Sequence, residues 1–142
     1  MIIKIDWPHD VIDSIPAINL VEILTRLVIS DAYGHNLVVI SRGLAEAFLS
    51  RLSLGEYVSA NLRTIKEQYA ERGSYVTGDR FPILNVTRDQ DRKLEKLSDR
   101  NFQIGYKELL GSRLLDKPIL LLEGPKSDGI VFDAIINSIL KL

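Results

Sequence analysis

The chain has 142 residues, of which 46% are hydrophobic and 26% are charged, a composition typical of one globular domain. Eighteen Lys and Arg residues against 19 Asp and Glu residues leave a formal charge of −1, so no overall field draws the chain to nucleic acid or to an anionic membrane. The absence of Cys excludes disulfides, thiol catalysis and zinc–thiolate sites.

The first residues carry no recognisable targeting signal. The apolar run at residues 1–5 is far too short for a signal peptide or a membrane span. We therefore expect a cytoplasmic protein without a membrane partner. Residues 1–142 are expected to form a single α/β domain, either alone or as the N-terminal part of a longer protein.

The first half of the chain predicts strands and helices in alternation. β-Branched residues predict a strand at residues 2–6, and Trp7-Pro8-His9-Asp10 predicts a turn. A helix capped by Ser14 should end at Gly34, and the apolar run at residues 36–40 predicts a buried strand. Apolar residues at helical spacing then predict a second helix, at residues 44–52, with Ser41 as its N-cap.

The second half is less regular. A capping-box pattern at Ser53 predicts a helix that ends at Gly73, and short strands are expected at residues 74–77 and 82–86. A second capping box, beginning at Thr87, predicts a charged peripheral helix. The sequence then predicts a strand at residues 102–105, a short helix at residues 106–115 and a buried strand at residues 118–122. A final helix is expected to begin at Ser127 or Asp128.

This alternation predicts the fold class. Strands and helices that follow one another with short connections favour a mainly parallel sheet with right-handed crossovers. We therefore expect an α/β fold of the three-layer α/β/α sandwich type.

Ligands of open α/β sheets bind beyond the carboxyl ends of the strands, so polar residues there are candidate site residues. Asp6, Asp89 and Glu123 follow predicted strands and could together hold Mg²⁺ or Mn²⁺. Asp6 and Asp89 also suit simpler roles, in a solvated turn and at a helix start. Ser41 and Arg42 could bind an anion at the start of the following helix, or Ser41 could be a simple cap.

One segment resembles a known family. Residues 118–128 read Pro-Ile-Leu-Leu-Leu-Glu-Gly-Pro-Lys-Ser-Asp, a buried strand that ends in Glu-Gly and is followed by an Asp at a helix start. Residues 118–135 resemble the start of a Toprim domain, especially that of the overcoming-lysogenization-defect nucleases. The resemblance implies catalytic roles for Glu123 and Asp128 on a phosphodiester. The Asp-x-Asp pair that the family carries on a later strand is absent from the chain.

Two functions follow as hypotheses. The first is a non-catalytic α/β module that binds a partner protein, a second copy of itself or a nucleotide within a larger prokaryotic assembly. The second is a metal-dependent, nuclease-related domain that uses Glu123 and the acids at strand ends. The first is favoured because one candidate carboxylate does not make a complete catalytic site.

Overall fold

A computed structural model describes residues 1–78 and 80–116. It contains a five-stranded sheet in the order β2-β1-β3-β5-β4. The strands are β1 (Ile2–Ile5), β2 (Leu37–Ile40), β3 (Ile83–Thr87), β4 (Glu95–Lys96) and β5 (Asn101–Gly105). The helices are α1 (Val11–Ser14), α2 (Ala17–Ala32), α3 (Arg42–Arg51), α4 (Glu56–Glu67), α5 (Tyr69–Thr77) and α6 (Tyr106–Gly111).

The sheet is mostly parallel, as predicted. β1 pairs in parallel with β2 on one side and with β3 on the other, and β3 pairs in parallel with β5. The short β4 is antiparallel to β5. The chain therefore reverses its direction of winding at β1, because β2 is added on one side of this strand and β3 on the other.

One face of the sheet carries the main hydrophobic core. Ile3 and Ile5 of β1 lie on this face with apolar residues of β2, β3 and β5. Apolar side chains of α2, α3, α4 and α6 complete the same cluster, including Leu24, Phe48 and Leu62. The 3.6-residue spacing of these side chains explains why the segments form helices against this face.

The opposite face has a smaller apolar cluster. Ile2, Val39 and Ile83 form it, and Tyr69 and Val76 of α5 pack against them. Helices thus cover both faces of the sheet, which is the predicted three-layer α/β/α arrangement. Within residues 1–78 and 80–116, α5 is the helix that covers the second face, and it does so near β1 and β2.

An ion pair lies along the outer edge of β2 in the described sheet. The Asp31 carboxylate accepts a hydrogen bond from the Val38 N–H at 2.9 Å, and Arg72 donates to the Val38 carbonyl oxygen at 3.0 Å. Arg72 and Asp31 are also ion-paired to each other. Because an exposed strand edge can pair with other chains, this side-chain pair blocks extension of the sheet at Val38.

Several predictions from the N-terminal half are confirmed. β1 and β2 lie where the apolar runs predict them, and Ser41 is the N-cap residue of α3. α2 ends at Ala32, and Gly34 follows with a φ of 74°, a conformation that favours glycine.

Two predicted caps are wrong. Ser14 is the last residue of α1, and α2 begins only after Pro16, whose ring suits a helix start. Ser53 lies outside α4, which begins at Glu56 with Gly55 as its N-cap. Since Ser also favours turns, a local capping pattern does not distinguish a helix start from the turn before it.

The strand predicted at residues 74–77 is also wrong, because these residues belong to α5. Tyr75, Val76 and Thr77 have the β-branched and aromatic side chains typical of strands. Tyr69 and Val76, however, are two helical turns apart, and both pack on the second face of the sheet. Tertiary packing therefore outweighs the local preference. The single helix predicted to end at Gly73 is divided into α4 and α5, and Gly73 lies inside α5.

The charged helix predicted from Thr87 does not form. Thr87 is the last residue of β3, residues 88–94 form turns and loop, and Glu95–Lys96 pairs with β5. Leu94 is only partly buried and Leu97 is exposed, so a helix here would have had little apolar surface to bury. The loop packs instead on Gly105, where a Cβ would lie 2.1 Å from the Asp89 carbonyl oxygen.

The C-terminal half also contains confirmed predictions. β3, β5 and α6 correspond to predicted elements, although α6 ends at Gly111 rather than at residue 115. The strand predicted at residues 118–122 and the final helix lie outside the described residues. No helix in the described part of the chain has the length and apolar character needed to span a bilayer.

Candidate functional site

The carboxyl ends of β1 and β3 separate to form a crevice. The β1–β2 ladder extends to the Ile5–Ile40 pair, whereas the β1–β3 ladder stops at Lys4 and Asn85. Beyond this point β1 and β3 lead into different loops. A crevice at this place is expected, because ligands of open α/β sheets bind where the direction of winding reverses.

Trp7 holds the two sides of the crevice together. Its indole N–H donates to the Val86 carbonyl oxygen at 2.7 Å, and the side chain is buried. The indole ring also contacts the Tyr106 ring edge-to-face, with 6.3 Å between the centroids. The loop after β1 is therefore fixed to the end of β3 and to the start of α6.

The crevice has a volume of about 280 Å³. Polar side chains from one face of the sheet line it, with Arg88 at the rim and apolar residues of the loop after β1 on one side. The lining residues are Lys4, Asp6, Trp7, Pro8, Asn85, Val86, Thr87 and Arg88. They come from two chain segments that only the fold brings together.

Two polar groups of the crevice lining have no partner among the described residues. Lys4 is partly buried, and no carboxylate of the described chain lies within ion-pair distance of its ammonium group. The Thr87 hydroxyl is buried and has no hydrogen-bond partner. The Lys4 side chain is therefore available to a ligand in the crevice, whereas the Thr87 hydroxyl has almost no accessible surface. The neighbouring Asn85 amide, by contrast, donates to the Phe102 carbonyl oxygen at 3.1 Å.

A shallower depression adjoins the crevice. It has a volume of about 740 Å³ and runs from the loop after β1 to the first turn of α3, where Ser41 and Gly43 line it. The His9 imidazole packs directly on this turn, since a Cβ at Gly43 would lie 2.5 Å from His9 Nε2. The two depressions share Asp6, Trp7 and Pro8, so they form one continuous surface.

The predicted anion-binding pair is separated in the structure. Ser41 lines the shallow depression, and its side chain makes no capping hydrogen bond to α3. The Arg42 guanidinium lies over the Tyr69 ring, 5.8 Å from its centroid, and Tyr69, the first residue of α5, packs on the second face of the sheet. Arg88 is instead the arginine at the crevice, where it forms a long ion pair with Asp10 at 3.9 Å.

The predicted metal ligands are only partly described. Asp6 lies at the mouth of the crevice and is exposed. Asp89 accepts hydrogen bonds from Arg92 at 2.8 and 3.1 Å and does not line the crevice. Within residues 1–78 and 80–116, no group of three His, Asp or Glu side chains could hold a metal ion. Glu123 and Asp128 lie outside these ranges, so their catalytic and metal-binding roles stay predictions.

Sequence reasoning did not single out Lys4 or Asn85. Each is a lone polar residue in an apolar strand, within Ile2-Ile3-Lys4-Ile5 and Ile83-Leu84-Asn85-Val86. This interruption is a usable signal, because a polar side chain inside a buried strand needs a partner.

Comparison of the chain with family models, with curated proteins and with solved structures found no match.

Proposed function

We propose that the protein is a non-catalytic module that binds a nucleotide in the crevice between β1 and β3. The observation that carries this proposal is the position of Lys4, which lines the crevice where the sheet reverses its winding and has no ion-pair partner among the described residues. Such positions are the usual ligand sites of open α/β sheets. A nucleotide offers both the negative charge and the hydrogen-bonding groups that this lining can satisfy.

The charges around the crevice support a ligand with distinct ends. Lys4 and Arg88 are cationic and suit phosphate oxygens. Asp6 and Asp10, on the loop after β1, are acceptors that suit hydroxyl or amino groups of a ligand. A simple anion would meet these carboxylates with repulsion, whereas a nucleotide can present its sugar or base to them.

The space also fits a small nucleotide. Ligand pockets commonly have volumes of about 300–1,000 Å³, so the crevice alone, at about 280 Å³, lies just below this range. The adjoining depression extends this room along the first turn of α3. A ligand seated in the crevice would therefore have space for its outer part above Ser41 and His9.

The other hypotheses stay predictions. The nuclease-related function depends on Glu123 and Asp128, outside the described residues, and on a metal ion. Binding to a partner protein or to a second copy of the chain is likewise a prediction. Nucleotide binding is favoured because the observations that support it all lie on described residues.

Calorimetric titration of the 142-residue chain with AMP, ADP and ATP, each with and without Mg²⁺, tests the proposal. We expect saturable binding of at least one nucleotide. Arg88→Gln should weaken this binding about 10-fold, the equivalent of about 1.4 kcal/mol, because one charge-assisted contact is lost.

Arg63→Gln is the matched control, because Arg63 is exposed on α4 and does not line the crevice. It should leave the affinity unchanged. Absence of binding by all three nucleotides at about 1 mM, a concentration at which even weak specific sites begin to fill, would overturn the proposal. Equal losses in the two variants would do the same, since they would indicate non-specific attraction of charge.

A further inference from the structure

The outward side of α2 is largely apolar. The inner side of this helix packs on the main core through buried residues such as Leu20, Ile23 and Leu27. The opposite side carries a row of uncharged side chains that are exposed or half-buried, and we call this row the outer stripe: Ile18, Val21, Thr25, Ile29 and Ala32. Ile18 is 77% exposed. A helix that is apolar on both sides normally lies between other parts of a protein, so the outer stripe is a candidate interaction surface.

Few charged groups border the outer stripe. Two of the three charged residues of α2 are paired within the chain, Asp31 with Arg72 and Arg26 with Asp116. The third, Glu22, is exposed and has no ion-pair partner among the residues that the structure describes. The Arg26 side chain remains 27% exposed and lies 3.4 Å from Asp116, so a further carboxylate can approach it.

The outer stripe is symmetric about Thr25. Val21 and Ile29 lie four residues before and after this residue, and Ile18 and Ala32 lie seven residues before and after it. In an antiparallel pair of α2 helices centred on Thr25, Ile18 therefore faces Ala32 of the second copy. Val21 likewise faces Ile29 of the second copy, and Thr25 meets its own equivalent. Each apolar position thus meets another apolar position, which is the self-complementarity that a two-fold interface requires.

The same arrangement pairs the charges. Glu22 and Arg26 are four residues apart, so they lie along the same flank of the helix. Equivalent flanks meet in an antiparallel pair centred on Thr25. A rise of about 1.5 Å per residue then leaves an offset of about 3 Å, along the helix axis, between Glu22 and Arg26 of the second copy. Two-fold symmetry repeats this contact, so both unpaired carboxylates gain a cation.

We propose that the outer stripe of α2 is a homodimer interface in which two copies of the chain pair antiparallel about Thr25. The stripe from Ile18 to Ala32 is about 21 Å long. A contact along one helix of this length buries less than the roughly 1,200–2,000 Å² of stable interfaces, so we expect a weak dimer, with a Kd of about 10–500 µM. No residue of α2 lines the crevice, so dimerisation and nucleotide binding use separate surfaces.

Sedimentation equilibrium of the 142-residue chain at about 5–500 µM tests for the dimer, because this range spans the expected Kd. The average mass should rise with concentration from 16.0 kDa towards twice this value. Ile29→Lys should weaken association at least 10-fold, because symmetry places two ammonium groups in the apolar contact. Tyr57→Lys is the control, since Tyr57 is an exposed residue of α4, and it should have no effect. An unchanged circular dichroism spectrum confirms that each variant is folded.

Disulfide cross-linking tests the antiparallel arrangement. The chain has no Cys, so a single introduced Cys reports which positions meet. Thr25→Cys should form a covalent dimer under mild oxidation, because the two equivalent residues lie opposite each other. Ile18→Cys is more exposed, but it should cross-link at least 10-fold more slowly, because the two Ile18 positions lie about 21 Å apart along the helix axis.

A chain that stays monomeric up to about 500 µM would overturn this inference. Slow labelling of Ile18→Cys by a maleimide in that monomer would indicate that another segment of the same chain covers the outer stripe. Unchanged association in Ile29→Lys would also overturn the inference, because the dimer would then use a different surface. Cross-linking of Ile18→Cys as fast as that of Thr25→Cys would overturn the antiparallel arrangement about Thr25.

Discussion

The surroundings of Arg72 and of Lys4 show two ways in which the fold treats a cation beside the sheet. Arg72 lies at the outer edge of β2 and is only 8% exposed. It contacts the Asp31 carboxylate, the Val38 carbonyl oxygen and the Gln68 side chain. Lys4 lies on β1, is partly buried, and has no carboxylate partner in the described chain.

This difference separates a structural cation from a candidate binding cation. The partners of Arg72 all come from the protein itself, so the guanidinium stabilises the junction of α2, α5 and β2. Lys4 makes no comparable contribution to the folded chain. Replacing Arg72 should therefore destabilise the fold, whereas replacing Lys4 should change its stability little.

The largest expected effect is the loss of stability in Arg72→Met. The substitution leaves the Asp31 carboxylate, 14% exposed, without its counter-charge, and it leaves the Val38 carbonyl oxygen without its donor. Breaking a buried ion pair in this way costs about 3–5 kcal/mol. Urea-induced unfolding followed by circular dichroism should show this as a lower midpoint.

Arg51→Met is the control for this measurement, because Arg51 is paired with Asp13 in an exposed position. Its loss should cost less than about 1 kcal/mol. If the two variants were equally stable, the contrast between a buried and an exposed pair would fail.

Effects of intermediate size are expected for substitutions of two glycines, Gly105 at the end of β5 and Gly73 on α5. Gly105→Ala should destabilise the protein by about 1–3 kcal/mol, because its Cβ would lie 2.1 Å from the Asp89 carbonyl oxygen and force the loop after Arg88 to move. Gly73→Ala, beside Arg72, meets no atom within 4 Å and should stabilise α5 by about 0.5–1 kcal/mol. Thermal unfolding of both variants measures the difference, and equal shifts in the same direction would refute it.

The smallest effect is expected for the stability of Lys4→Met. The variant removes the charge of a partly buried residue that has no ion-pair partner in the described chain, and it keeps an unbranched side chain of similar length. The free energy of unfolding should change by less than about 1 kcal/mol or rise slightly, because no ion pair is broken. A loss as large as that of Arg72→Met, measured in the same urea titration, would mean that Lys4 is a structural cation after all.

The sequence predicts the sheet better than it predicts the helices. β1, β2 and β3 are mostly apolar segments with β-branched residues, and β5 places apolar residues at alternate positions, so all four carry a local strand pattern. The positions at which helices begin are predicted less well. Ser14, Ser53 and Thr87 are residue types that favour helix N-caps, but Ser14 ends α1, Ser53 lies before α4 and Thr87 ends β3. Capping groups act over a few residues, whereas the choice of helix or strand also depends on apolar surface supplied from elsewhere in the fold.

The candidate site was predicted only in part. The rule that ligands bind at the carboxyl ends of strands leads to Asp6 and Ser41, and the structure places Asp6 at the crevice and Ser41 in the adjoining depression. It did not distinguish Arg42, which stacks on Tyr69, or Asp89, which is paired with Arg92. The orientation of a side chain depends on the residues that it contacts in the folded protein, and the strand-end rule does not include these contacts.

The sequence by itself determined the α/β class and most strand positions, because apolar periodicity and backbone preferences are local properties. Only the tertiary structure decided that α5 continues through residues 74–77, that residues 88–94 form a loop, and that Lys4 and Thr87 share one crevice. Each of these outcomes depends on which strands become neighbours. That choice is made by the packing of the whole sheet, so no segment carries it alone.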